Sequence, residues 1–240
     1  MSLPNLKKEI TLKADKKRAI VSQRFFKTGV GEYGEGDIFI GITVPESRKI
    51  AKKYKDIVFK DIKKLLSSRI HEERFIALLI LVDNFKSEKT VNKKRIFDFY
   101  LKNTKYVNNW DLVDLSAGKI VGEFILVEIK NKKEQLVILE KLAKSKNLWE
   151  KRISIIATFQ FIKSNQFDHT LKISKILLSD DHDLIQKAVG WMLREVGKRS
   201  IETEEEFLKE NLQKIKRTTL RYAIEKFPEE KRQKYLKSDI

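Results

Sequence analysis

The sequence predicts an all-α fold, an α-solenoid built from stacked helix pairs. Three observations point there. Apolar residues recur at i, i+3, i+4 and i+7 through most of the 240 residues. Only nine Gly and three Pro interrupt them. Basic residues near the starts of apolar helices also recur at a steady interval: Arg152, Lys187 and Arg221 are 35 and 34 residues apart, and Arg74 precedes Arg152 by 78, about twice that. A helix-pair unit of this length marks a HEAT-like repeat. The second helices of such pairs line a concave wall, so these residues would form a ladder in a concave basic groove. A non-repetitive helical bundle is the competing architecture. One domain spanning 1–240 is expected.

The elements follow in order. The opening "MSLPNLKKEITLKADKK" has no apolar stretch of the kind a secretory signal needs. A Gly-rich loop, 28–41, comes next. Its Gly29, Gly31 and Gly34 match G-x-G-x-x-G, but the preceding "QRFFK" is not a clear strand, and Glu32, Glu35 and Asp37 would repel a pyrophosphate. No cofactor is expected there; a flexible loop near a binding face is the better reading. "GDIFIGITV", Gly36 to Val44, has β character and no obvious partner, so it reads as an extended connection into a helix starting at Pro45. "ERFIALLILVDNF", "KEQLVILEKLAKS", "KRISIIATFQFIK" and "LIQKAVGWMLREVGK" read as helices, with breaks at "KSKN" and "LLSDDHD". The acids of "SDDHD", Ser179 to Asp183, suit the start of a helix better than a metal site.

Composition narrows the function. Lys and Arg number 51 against 34 Asp and Glu, a formal charge of +17. On a folded, Leu/Ile-rich chain this suggests a polyanionic partner, with lysine enrichment from a biased genome as the alternative. The absence of Cys excludes disulfides, Cys-ligated zinc and a thiol nucleophile. The three His, at 71, 169 and 182, share no ligand spacing, so no metal is expected. No G-x-S-x-G supports a serine hydrolase. No apolar run approaches the ~20 residues of a membrane span, and a cytoplasmic protein is expected.

The stretch "NNWDLVDLSAGK", Asn108 to Lys119, stands out because Asp111 and Asp114 lie on an otherwise apolar helix. A carboxylate among apolar groups is costly unless something offsets it. Trp110 and Asp114 are one turn apart and share a face. "LWEKRIS" supplies Trp149 and Arg152, and "QKAVGWMLRE" supplies Lys187, Trp191 and Arg194. In-register stacking would bring Trp110, Asp114, Arg152 and Trp191 onto one wall. Two indoles beside a carboxylate receive a cation, and Arg152 offers a fork to a phosphate. Trp149 reads as core. For each indole, ordinary packing is the alternative.

The chain resembles the AlkD-like DNA alkylation repair family over most of its length. The resemblance is carried by "FIGITVPESRKIAK", "NNWDLVDLS", "LWEKRISII" and "QKAVGWMLREVGK", specific together and in this order. It implies a HEAT-like solenoid that binds duplex DNA in its concave groove; such a groove works as a monomer, and a cytoplasmic, nucleoid-associated protein is expected. It also implies a monofunctional glycosylase that releases cationic N-alkylpurines such as 7-methylguanine and 3-methyladenine, without a cofactor. Carried over by position, Asp114 matches the catalytic acid, Trp110 and Trp191 the indoles, and Arg152 the arginine that opens the following repeat. Arg194 matches a DNA-backbone position, and Arg48 and Lys187 are expected to contact DNA as well. Asn109 departs from the family, many of whose members carry an aromatic there.

Overall fold

All regular structure among the described residues, 2–87 and 90–237 of a computed structural model, is helical apart from one isolated bridge. The chain divides into two compact units, Met1–Ser116 and Ala117–Ile240. No helix among the described residues is long and apolar enough to cross a membrane.

The first unit contains α1 (Leu3–Leu12), α2 (Lys16–Phe25), α3 (Val44–Lys53), α4 (Phe59–Leu66), α5 (His71–Ser87), α6 (Thr90–Lys102) and α7 (Trp110–Ala117), whose final residue crosses the boundary. Helix α5 is its core. It is apolar on every side from Phe75 to Val82 and buried throughout that run, as such a helix must be. Helices α3, α4 and α6 pack against it. Each fully buried Leu or Ile contributes on the order of 1.5–3 kcal/mol relative to exposure.

The first turn of α5 is polar yet also buried, and each of its four side chains has a partner. Glu73 accepts from Lys7 Nζ at 2.8 Å. The Glu72 carboxylate accepts from the successive N–H groups of Ile40, Gly41 and Ile42, its Oε1 lying at 3.0, 2.7 and 3.3 Å. His71 and Arg74 meet Asp37. This turn anchors the extended connection. Ile38 forms a one-residue parallel bridge with Ile70, and Ile40 C=O accepts from Asp15 N–H at 2.8 Å. Gly41 is needed there: its φ is +85°, and a Cβ would lie 2.1 Å from Asp15 O. The connection expected from "GDIFIGITV" is therefore present, and it enters α3 one residue before Pro45, with Thr43 capping. The Gly-rich loop is not free, in contrast to the flexible loop expected. Glu32 and Glu35 accept from the N–H groups of Gly29 and Gly31, and Asp37 is buried.

The second unit begins with a π-helical turn, Gly118–Gly122, and α8 (Glu123–Glu128). Then follow α9 (Lys132–Ala143), α10 (Leu148–Ala157), α11 (Phe159–Lys163), α12 (Asp168–Leu177), α13 (Asp183–Gly197), α14 (Ile201–Asn211), α15 (Arg217–Ala223) and α16 (Glu229–Lys237). Side chains of Asn131, Asn147 and Ser200 cap α9, α10 and α14 by accepting from their first-turn N–H groups. Pairs α9/α10 and α12/α13 stack like with like: α9 packs on α12, and α10 packs on α13, which packs in turn on α15. The periodicity has a structural meaning here. Arg152, Lys187 and Arg221 each occupy the fifth position of α10, α13 and α15, and Asp114 occupies the fifth position of α7.

Two expectations are corrected. Arg74 is no rung of a basic ladder: it is 3% exposed and paired with Asp37 at 2.6 Å. The acids of Ser179–Asp183 do not supply the N-cap of α13, although Asp183 does lie in its first turn as expected. His182 is the cap, its Nδ1 accepting from Leu184 N–H, while Asp180, Asp181 and Asp183 pair with Lys151, Lys216 and Lys187.

Candidate active site

Helix α7 presents Trp110, Asp111 and Asp114 from an apolar sequence, and the two carboxylates have different surroundings. Asp111 Oδ2 accepts from His71 Nε2 at 2.8 Å, and the other ring nitrogen, Nδ1, donates to Asp37 Oδ2 at 3.1 Å. The same Asp37 oxygen accepts from Arg74 at 2.6 Å and from the Asn109 amide at 3.4 Å. Arg74 also donates to Ser68 C=O at 2.8 Å. A neutral imidazole has one N–H, so a carboxylate on each nitrogen calls for the imidazolium. Two carboxylates then face two cations, which is the condition for burying charge at tolerable cost. Burial alone would lower His71, but the charge and hydrogen bond of Asp111 outweigh it and hold the imidazole above its usual range. Burial alone would raise Asp37, but the His71 hydrogen bond and the Arg74 guanidinium hold its carboxyl below the usual range.

An aromatic column rises from this network. His71 stacks on Phe39 with ring centroids 4.3 Å apart, Phe39 on Phe26 at 4.8 Å, and Phe26 on Trp110 at 5.1 Å. Phe25, 63% exposed at the end of α2, meets Trp110 edge-on at 5.8 Å. Aromatic pairs at such distances each contribute about 0.5–1.5 kcal/mol beyond area burial. Trp110 is thus held across one face and half-buried.

Asp114, one turn further, is half-buried. Beneath it lies the fully buried Tyr100 phenol. Ser116 donates its hydroxyl hydrogen to Leu112 C=O at 2.6 Å, so Tyr100 is the donor in its 2.9 Å bond to Ser116 Oγ. Burial pushes the Tyr100 phenol well above its usual range, and the Asp114 charge adds to that. Tyr100 therefore stays neutral beside the carboxylate.

The remaining predicted residues lie elsewhere. Arg48 is exposed on α3. Arg152, in the second unit, is only 6% exposed and donates to Leu184 C=O in the first turn of α13 at 2.5 Å. Trp191 is half-buried on α13, tilted against Phe159 at 6.3 Å, and its Nε1–H donates to Glu195 at 3.2 Å. Arg194 pairs with Glu225 and Lys187 with Asp183. Trp149 is 7% exposed, in the core as its sequence position suggests. Within their own units the structure brings together Trp110 with the head of the Asp114 helix, and Arg152 with the start of the Trp191 helix. Asn109, where many family members carry an aromatic, is fully buried with its amide on Asp37. A hollow of about 670 Å³ opens beside Ser179, but its Lys151 and Asp180 are already paired at 2.6 Å and no Trp, Tyr or Phe lines it.

Sequence reasoning missed Asp37, His71 and Phe26. A signal was present: "HEER" places four polar residues at the head of the most apolar helix, where each needs a buried partner.

The profile of the family described as DNA alkylation repair enzyme matches residues 6–227. No curated protein matches the chain significantly. Among solved structures, a predicted DNA alkylation repair enzyme from Enterococcus faecalis superposes with a TM-score of 0.69 at 17% identity, covering 90% of this chain and 97% of that one. AlkD2 from Streptococcus mutans superposes with a TM-score of 0.53 at 19% identity, covering 88% and 98%. The smu.31 protein from Streptococcus mutans UA159 gives 0.55 at 21% identity, covering 77% and 92%. At these identities the likeness establishes a shared helical fold.

Proposed function

The chain belongs to the DNA alkylation repair enzyme family, and on that premise we propose that it is a monofunctional DNA glycosylase releasing cationic N-alkylpurines from duplex DNA. The observation that carries this reading is the half-buried Asp114 carboxylate, one turn from a braced indole on α7 of a chain with net charge +17. A polyanion-seeking protein has no use for such a carboxylate in phosphate binding. It has a use for it where positive charge develops.

An N-alkylated purine already carries that charge and departs without a general acid. The C1′–N bond breaks, its electron pair leaves with the purine and neutralises it, and the sugar becomes oxocarbenium-like. Asp114 stabilises that cation and orients a water whose oxygen bonds to C1′, the released proton passing to the carboxylate or solvent. Trp110 and Trp191 offer π faces to the cationic base and sugar. Arg48, Lys187 and Arg194 are the backbone contacts, exchanging internal acid partners for phosphates where they have them. Arg152, engaged with Leu184 C=O, orders the head of α13.

The test is release of 7-methylguanine or 3-methyladenine from methylated duplex DNA. The wild type is expected to release base, and Asp114→Asn to lose roughly 10²–10³-fold in rate, the scale of removing one electrostatic stabiliser, with DNA affinity kept or increased. Tight binding without release by the wild type would make the protein a non-catalytic reader of damaged DNA.

A further inference from the structure

The first Asp of "WDLVD" is not absorbed by this chemistry. Asp111, the second residue of α7, is 16% exposed at its side chain and bonded to a histidine that is 3% exposed. That histidine bonds Asp37 from the Gly-rich connection, and Arg74 braces Asp37 from the same turn of α5. Asn109, immediately before α7, closes the cluster through the same Asp37 oxygen. The network therefore ties two separate segments, the connection and the head of α5, to the first turn of the helix that carries Trp110 and Asp114. His71 also underlies the Phe39–Phe26–Trp110 column, so it touches both the backbone anchor and the aromatic support of that helix.

We propose that His71, held as an imidazolium between Asp37 and Asp111, is a positioning residue that sets the head of α7 and through it the placement of Trp110 and Asp114. It touches no substrate. Its effect is to hold the indole and the carboxylate in one orientation, at a site where a misplacement near 1 Å costs about 10²-fold in rate. The charged groups facing it are Asp37 from the connection, Asp111 from α7 and Arg74 from its own helix. Loss of the Nδ1 proton would set its lone pair against Asp37 Oδ2, with the Arg74 guanidinium 3.4 Å away as the remaining donor to that nitrogen, and the His71–Asp37 arm of the strut would be lost.

The sign follows. His71 holds its proton more tightly folded than unfolded, so the strut is complete below about pH 6.5 and is lost as pH rises through the raised folded value. Asp37, held low, stays charged well into acid.

The catalytic consequence rests on the glycosylase reading; the geometric one does not, and the experiment separates them. Three Trp give three indole N–H resonances, and Trp149→Phe and Trp191→Phe variants assign that of Trp110. In a ¹⁵N-labelled sample, both His71 ring nitrogens are expected to be protonated at neutral pH, and the Trp110 resonance to move with them as pH rises. His71→Gln is expected to fold, to lose the Trp110 transition, and to release base about 10–100-fold more slowly with DNA affinity unchanged within about threefold. The alkaline fall of the wild-type rate should vanish in it. Should that variant fail to fold, Asp111→Asn keeps an acceptor for His71 while removing the charge, and is expected to lower the midpoint shared by His71 and Trp110. A neutral His71 at pH 7, a Trp110 resonance indifferent to it, or a folded His71→Gln with wild-type rate and pH profile overturns the proposal. Absence of base release by the wild type overturns the glycosylase reading alone, and the shared titration still decides the role of His71.

Discussion

Among single residues, Glu204 is the outlier. It is 1% exposed on α14, its Oε1 has no hydrogen-bond partner among the described residues, and it presses on the end of α13 at Gly197. Burial first, and the neighbouring Glu205 second, push its carboxyl up to about 8 against the opposing charge of Arg194. The folded protein thus keeps a proton that the unfolded chain has released above about pH 4.5. Stability falls as pH rises from there to about 8. Glu204→Gln mimics the protonated form. It is expected to match the wild type near pH 4 and exceed it by roughly 4 kcal/mol at pH 8, read from urea unfolding at both values. Parallel stability curves would show that Glu204 is ionised in the fold.

Elements show how closely helices approach. In the π turn Gly118–Gly122, a Cβ on Gly122 would stand 2.1 Å from Ala157 O, a backbone atom that cannot swing aside, whereas one on Gly118 would meet Ile156 O at an ordinary 3.5 Å. Gly122→Ala is expected to destabilise by roughly 3 kcal/mol, the upper range for overpacking. Gly118→Ala should be neutral or slightly stabilising, because Ala is the better helix former. Chemical denaturation of the two variants checks this, and equal stabilities would mean that α10 yields at its C-terminus. The same closeness governs α10 and α13, where Arg152 fixes a first-turn carbonyl of the next pair.

At the scale of the whole molecule, charge dominates. A net +17 predicts DNA binding that weakens steeply with salt, each phosphate contact contributing about 0.9 to the slope of log affinity on log salt. Because Arg48 is exposed, Arg48→Ala should make that slope shallower by about one with no change in stability. Fluorescence anisotropy across 50–300 mM salt, roughly the range in which such slopes are read, provides the measurement. An unchanged slope would remove Arg48 from the interface. Arg152, 6% exposed, belongs to a different class, since its truncation empties a buried site and strips a carbonyl of its donor.

The all-helical class and the helix-pair period were legible in one dimension, because helical periodicity and caps are written in local spacing, and the family through the resemblance of four ordered motifs. The shared fifth position of Arg152, Lys187 and Arg221 lay in that spacing, and so did Trp110 and Asp114 one turn apart. Burial did not. Four basic residues equivalent in sequence include two that are buried, and nothing local separates Arg74, bonded to Asp37, from Arg221, exposed on α15. Asp37 looked like one more loop acid until the connection folded back on the head of α5. His71 had no partner within helical reach, because its two carboxylates lie 34 residues before and 40 after it. Composition and periodicity by themselves determined the helical class of fold this chain makes and pointed to a polyanionic partner. Which acid is bound inside and which remains on the half-buried face of α7 was decided only in the tertiary structure. Desolvation and pairing depend on neighbours that the chain brings together from far apart.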